Sequence, residues 1–496
     1  MSPAALATLL LVALTCKATP LSVSLDGREL PVHEARCSAY PLNREWPGFQ
    51  RPLEQSQIQY FVSFDLEAPG VLEIEAPGLP SPEPIRIRPL GRPNDSVVQD
   101  GRLLVPVSHP EQFVIEFGDG TERRMPTALH VFANKPFRYE HVPDEIYFGP
   151  GEHDAGLIAP TNGQTVCIDE GATVYGAIFI DRAKDVRIVG RGILDSSRIK
   201  RADKSSDIYR RVRGMGHADG TAARACTNFQ AYQCENLYVE GVIFRDSPRW
   251  SLILRNECDG ALIENVKIIG MWRYNSDGID VCASRNVVIR DSFVRSFDDC
   301  FVARGVCLED EVGPVENVTI ENCVLWCDWG KNLEVWAGGR SCVIQNVLCR
   351  DCKLVNIDAY ACDITTWGAP SNTVVRDIRF EYLEIDICRP RWDSRMETRE
   401  NRAFSFSQRK ACALFAVDVR SQNGARAQEA GPSAANVEYS NLNFSNFKVF
   451  DEIGCVWEGR LSAPPGIAVI RNSIVKGMPP GFRFGSRGNV NVVINP

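Results

Sequence analysis

Beyond its first twenty residues the chain has no run of eighteen apolar residues, so no later segment is expected to cross a membrane as a helix. It has no basic excess. Fifty-five Lys and Arg face 63 Asp and Glu, a formal charge of −8, which excludes an extended nucleic-acid footprint. Histidine is scarce, six in all, and none lies beside Cys349-x-x-Cys352 or Cys323-x-x-x-Cys327. Those pairs are therefore not read as zinc ligands, and neither a metal nor another cofactor is expected.

What is present is a 496-residue chain, 44% hydrophobic and 24% charged, enough for two or three folded units. Ala4 to Leu14 is apolar apart from Thr8 and leads to small residues near Ala18 and Thr19. Residues 1–19 are accordingly expected to be a signal peptide, and the mature protein to be secreted or periplasmic and monomeric. From Leu21 to Phe132, short alternating segments such as Gln59–Phe64, Val71–Glu75 and Phe113–Phe117 are separated by Gly and Pro. This pattern predicts a small antiparallel β-sandwich over residues 20–135.

Residues 136–496 follow another pattern. Short apolar strands and polar corners recur at Leu237–Val242, Ala261–Val266, Val287–Asp291, Val318–Cys323, Cys342–Val347 and Thr373–Ile378. The anchors Val239, Ile263, Ile289, Ile320 and Ile344 are 24, 26, 31 and 24 residues apart, with the acidic insertion Glu309–Glu311 in the longest gap. A unit of this length that holds two or three strands and no helix must stack on its neighbours to bury its apolar face. The all-β solution is a right-handed parallel β-helix preceded by the sandwich. A leucine-rich repeat would require a recurring Leu pattern and an Asn ladder, and neither is read here. Arg198–Arg224, which includes the basic run Arg210–Arg213, is expected to be a long loop, and Ser421–Ala435 a flexible excursion.

Neighbouring coils stand about 4.8 Å apart, so acids repeated at coil spacing repel one another. Asp277, in Asn275-Ser276-Asp277-Gly278-Ile279-Asp280, precedes the Asp298-Asp299 pair by 21 residues, close to one coil. That spacing places Asp277 beside the pair. Adjacent strand residues face opposite sides, so Asp298 and Asp299 share a cleft only at a corner where the pleat breaks. Three crowded carboxyls cannot all ionise. One becomes a proton donor beside charged partners, the division of labour that inverting glycoside hydrolysis needs. Turn capping and calcium binding are the alternative uses of such acids.

Asp246-Ser247-Pro248-Arg249-Trp250, Asn275–Asp280 and Asp298-Asp299-Cys300, in that order, resemble the motifs of the polygalacturonase family and its dextranase-like β-helical relatives. The resemblance spans roughly Gly149 to Asp386. It implies an inverting mechanism with Asp298 as general acid and Asp277 and Asp299 holding and deprotonating the water. The Gly-His-Gly of polygalacturonases is replaced by Trp326–Glu334, where Lys331 or Trp329 takes the space. Their carboxylate-binding Arg-Ile-Lys gives way to Asn356-Ile357-Asp358. An Asp there repels a uronate, which disfavours pectate.

Trp272 and Trp329 are the expected sugar-stacking faces, and Arg249, Arg273, Lys331 and Asn275 the expected polar substrate contacts. Cys258, Cys282, Cys300, Cys323 and Cys342 suggest a ladder of small buried side chains, with disulfide connectivity left open. The partner is thus a polysaccharide or oligosaccharide substrate, with no nucleic acid. The leading function is a secreted inverting glycoside hydrolase. The alternatives are a β-helical polysaccharide lyase and a non-catalytic glycan-binding protein.

Overall fold

The computed structural model describes residues 20–39, 52–79, 82–120, 124–305, 313–338, 341–357, 360–367, 371–387, 411–420, 435–452 and 454–495. The expected signal segment, the acidic insertion, Asp358 and nearly all of Ser421–Ala435 lie outside these residues.

Two five-stranded sheets form the sandwich. Gly70–Glu75 lies at the centre of one and Thr127–Asn134 at the centre of the other. Inward residues from both, among them Val62, Leu72, Val105, Ile115 and Leu129, make its core. Pairing is antiparallel, as the alternating segments predict, with one exception: Thr127–Asn134 runs parallel to Ser56–Asp65.

The chain then winds into a parallel β-helix with strands in 13- and 19-stranded sheets. One coil consists of Asp259–Glu264, Lys267–Ile269 and Ile279–Cys282. Arg285–Arg290, Phe293–Ser296 and Phe301–Arg304 form the next, and Val315–Glu321, Val324–Cys327 and Lys331–Ala337 the one after. Val239, Ile263, Ile289 and Ile320 stack in register, as their spacing predicts. The last anchor does not. Ile320 pairs with Cys349, whereas Ile344 lies opposite Val315, because the strand Val343–Arg350 begins earlier in its coil.

An exposed asparagine ladder is present after all. Asn346 donates to Asn317 at 2.7 Å and Asn317 to Asn286 at 2.9 Å, with all three backbones left-handed. Asparagine tolerates that conformation and satisfies its amide on the neighbouring coil.

Among the described residues fourteen cysteines are free thiols, all but Cys455 buried. They do not form the single ladder expected. Cys282 points outward, its pleat position paired with Arg255 and Arg304, while the free thiols of Cys323 and Cys352, and of Cys327 and Cys300, meet in hydrogen-bonded pairs. Arg198–Arg224 is likewise no plain loop. It carries helices α1 (Asp207–Gly214) and α2 (Asp219–Arg224), and the Ser206 hydroxyl caps α1 by accepting from Tyr209 N–H at 3.2 Å. Within the basic run, Arg211 and Arg213 donate to the carbonyls of Leu157 and His217.

The sandwich is seated on the β-helix through an apolar seam. Cys37, Phe61, Val114 and Phe132 pack against Ile269, Phe293, Val324 and Trp326. Polar contacts also join the two: half-buried Asp65 pairs with Arg191, and buried Lys267 donates to Asn134.

Candidate active site

Three consecutive coils build the site from equivalent positions. Ile279–Cys282 pairs in register with Phe301–Arg304, and that strand with Leu333–Trp336. Ile279, Phe301 and Leu333 point into the helix core; the alternate residues Asp280, Val302 and Glu334 point outward in one column. Asp277 and Asp299 lie in the turns two residues before the first two of these segments, and Lys331, at the equivalent position of the third, opens its strand. There Gly278 N–H donates to Asp299 O at 2.8 Å and Cys300 N–H to Lys331 O at 2.9 Å. Asp298 and Asp299 therefore lie at a break in the pleat and share a side. A Cβ added to Gly330 would meet Asp298 Oδ1 at 2.7 Å and Asp299 Oδ1 at 2.5 Å, so both carboxyls face the same bare backbone.

Little of these carboxyls meets water: Asp277, Asp298 and Asp299 are 2%, 7% and 5% exposed. Burial and then the neighbouring Asp280 and Asp298 charges raise Asp277 far above the ordinary carboxyl range, with Arg304 opposing. Burial and Glu334 do the same to Asp299, against Lys331. Burial also raises Asp298, which Lys331 moderates. Asp280, buried but bonded by Arg304, reaches about 6. Burial alone would raise Glu334 too, yet Lys331, a hydrogen bond from Asp299 and Arg304 bring it down to about 2. The cluster therefore holds protons in common while Glu334 stays charged.

Hydrogen bonds fix the geometry. Arg304 Nη2 stands 3.1 Å from Asp277 Oδ2, and its Nε 3.0 Å from Asp280 Oδ1. Lys331 N–H donates to Asp299 Oδ1 at 2.8 Å, while Lys331 Nζ reaches Glu334 Oε1 at 2.9 Å and Asp299 Oδ1 at 3.5 Å. Asn275, left-handed, donates to Asp298 Oδ2 at 3.4 Å and accepts from Arg201 of the insertion at 2.8 Å. Asp277 Oδ1 has no hydrogen-bond partner.

The structure thus gathers Asp277, Asp298, Asp299, Lys331 and Asn275 in one place. Trp329 is half-buried above them, stacked on Phe297 at 5.6 Å and edge-on to Tyr274 at 6.1 Å. Arg249 is buried against Trp250, close enough to Asp277 and Asp280 to interact with their charges, and its Nε has no partner. Trp272 and Arg273 lie elsewhere. Trp272 is buried with its N–H donated to Asp246, and Arg273 pairs with that same carboxylate, so both hold the preceding coil.

Arg304, Glu334, Asp280 and Arg201 belong to the site although sequence reasoning did not select them. A lone Arg ending the apolar strand Phe301-Val302-Ala303-Arg304, and acids at outward positions of buried strands, were available signals. Arg201 had none, because the fold of the insertion brings it in.

Residues 177–389, a stretch that contains the whole carboxylate cluster, match the model of glycosyl hydrolases family 28. A dextranase of Arthrobacter sp. (strain CB-8) is 23% identical over 265 residues, 49% of this chain and 40% of its own length. A probable polygalacturonase of Arabidopsis thaliana is 30% identical over 130 residues, 21% of this chain and 28% of its own. The chain thus spans well under two thirds of the curated relatives it matches. Among solved structures, Dex49A from Penicillium minioluteum superposes over 95% of this chain and 93% of its own with a TM-score of 0.58 at 14% identity, a likeness of fold.

Proposed function

We propose that the protein is an inverting glycoside hydrolase that cleaves glycosidic bonds of a polysaccharide or oligosaccharide after export from the cytoplasm. The observation that carries the reading is the sharing of Gly330 by Asp298 and Asp299, with Asp277 on the adjoining coil. Asp298 is the most exposed of the three and accepts from Asn275, whose neighbour Tyr274 meets the Trp329 ring; in this reading the sugar enters from that side. Protonated, it delivers its proton to the leaving glycosidic oxygen as the bond breaks. Asp277 and Asp299 hold a water on the opposite face of the sugar and remove its proton as the oxygen attacks the anomeric carbon. Burial raises Asp277 and Asp299 more than Asp298, so the assignment of roles rests on position; Lys331 and Arg304 are the cations that oppose this and favour the ionised forms of Asp299 and Asp277, and Arg249 has a donor available for a sugar oxygen.

The test is Asp298→Asn, which keeps shape and removes the transferable proton. It is expected to lower kcat at least about a thousandfold with little change in melting temperature, and to leave a glycan bound without product. Full turnover by this variant would remove the assignment. Release of an unsaturated sugar would point instead to a lyase.

A further inference from the structure

The sandwich places a histidine against the support of the catalytic turn. His130, in the middle of Thr127–Asn134, is wholly buried. Its Nδ1 lies 2.8 Å from the Tyr60 carbonyl, which only accepts, and its Nε2 lies 3.0 Å from Arg295 Nη1, which only donates. The imidazole is therefore neutral and in a single tautomer, with the proton on Nδ1. Burial and the Arg295 charge hold it so, taking its pKa down to about 3.

Arg295 comes from the β-helix, three residues before Asp298. Its guanidinium pairs with Asp328 at 3.3 and 3.4 Å, both side chains 1% exposed, and Asp328 also accepts from Trp326 Nε1 at 2.9 Å. This ion pair ends two turns that are laced together. Asp328 N–H donates to Ser296 O at 2.9 Å, Gly330 N–H to Phe297 O at 3.2 Å, the Ser296 hydroxyl to Asp298 O at 2.5 Å, and Lys331 N–H to Asp299 Oδ1 at 2.8 Å. A shift of Arg295 or Asp328 moves both turns together. The facing groups are Cys37 of the sandwich and Asp328, with Glu116 and Asp246 at longer range.

We propose that His130 is a positioning residue for the reaction. The sandwich, by fixing Arg295 and through it Asp328, sets the distance between the Asp298-Asp299 turn and the Gly330-Lys331 turn. The chemistry then requires both domains, because an unpartnered guanidinium face at the seam would draw water into a dry contact. This inference rests on the hydrolase reading for its kinetic consequence, though not for its structural one.

Three variants of the full chain test it. His130→Leu removes both hydrogen bonds. His130→Asn keeps a donor for Tyr60 but cannot reach Arg295, and it replaces the Leu variant if that one does not fold. His130→Gln places an amide oxygen where Nε2 lies and keeps an acceptor for Arg295. The expected result is a ten- to hundredfold fall in kcat for Leu and Asn, with KM changed less than threefold and kcat for Gln within threefold of wild type. Hydrogen–deuterium exchange of the peptide spanning Asp328–Lys331 is expected to quicken at least tenfold in Leu and Asn and not in Gln. Unchanged exchange there, or an equal loss in Gln, overturns the proposal. Faster exchange in a protein that hydrolyses no glycan would defeat the hydrolase reading and leave the positioning role standing.

Discussion

Arg304 stands 3.1 Å from Asp277 although the strand that carries it belongs to the following coil. The same guanidinium bonds Asp280, and its carbon lies over the rings of Trp250 at 4.5 Å and Trp336 at 4.9 Å. Aromatic walls hold one cation against two buried acids, so the whole unit is dry and strongly coupled.

Removing that cation leaves buried carboxyls without their counter-charge. Arg304→Met is expected to cost about 3–5 kcal/mol in denaturant unfolding at neutral pH. It should also move the acidic limb of the kcat/KM profile to higher pH, because Asp277 loses the group that favours its ionised form.

Glu334→Gln should act in the opposite direction. After burial itself, the Glu334 charge is the strongest influence raising Asp299, and it also occupies Lys331 at 2.9 Å. With a neutral amide there, Lys331 turns wholly to Asp299, whose pKa falls. The acidic limb of kcat/KM is expected to shift down by about one pH unit, read from an initial-rate pH series.

Gly330 is a steric requirement of the site. Its Cβ would lie 2.5 and 2.7 Å from the Asp299 and Asp298 oxygens, closer than real contacts allow. Gly330→Ala is expected to lower kcat by about a hundredfold and to lower the unfolding midpoint as well, since the added methyl meets the Asp298 backbone carbon at 2.8 Å besides the two carboxylates that need exact placement for turnover.

Asp386 gives the seam a pH dependence. It accepts from Leu90 N–H of the sandwich at 2.7 Å, and burial raises it to about 7, with that bond and Arg88 opposing. A carboxyl raised from 3.8 to about 7 on folding binds more protons in the native state, so stability falls as pH rises through that window. Asp386→Asn, neutral at every pH, should flatten this slope and stabilise the protein at pH 8 by about 2–4 kcal/mol, measured by urea unfolding at pH 5 and 8.

Much of this molecule was legible as one-dimensional pattern. The recurrence that includes Val239, Ile263, Ile289 and Ile320 identified the stacked coils, because a short apolar unit without a helix can bury its face only against its like. The same coil length predicted that Asp277 would meet Asp298 and Asp299. The slip at Ile344, the thiol pairs and the asparagine ladder were missed because where a strand starts within its coil depends on the length of the corners around it.

Side-chain direction and long-range docking were not legible. Trp272 and Trp329 look alike in sequence, yet one is buried with its N–H on Asp246 and the other is half-buried beside Tyr274. Helices α1 and α2 bring Arg201 to Asn275 across an insertion with no repeat to guide it. The amino-acid order alone determined the repeat and the crowding of acids, since both follow from spacing along the chain. Only the tertiary structure decided which cations answer those acids and that His130 of the sandwich meets Arg295, because such contacts join residues that no local periodicity relates.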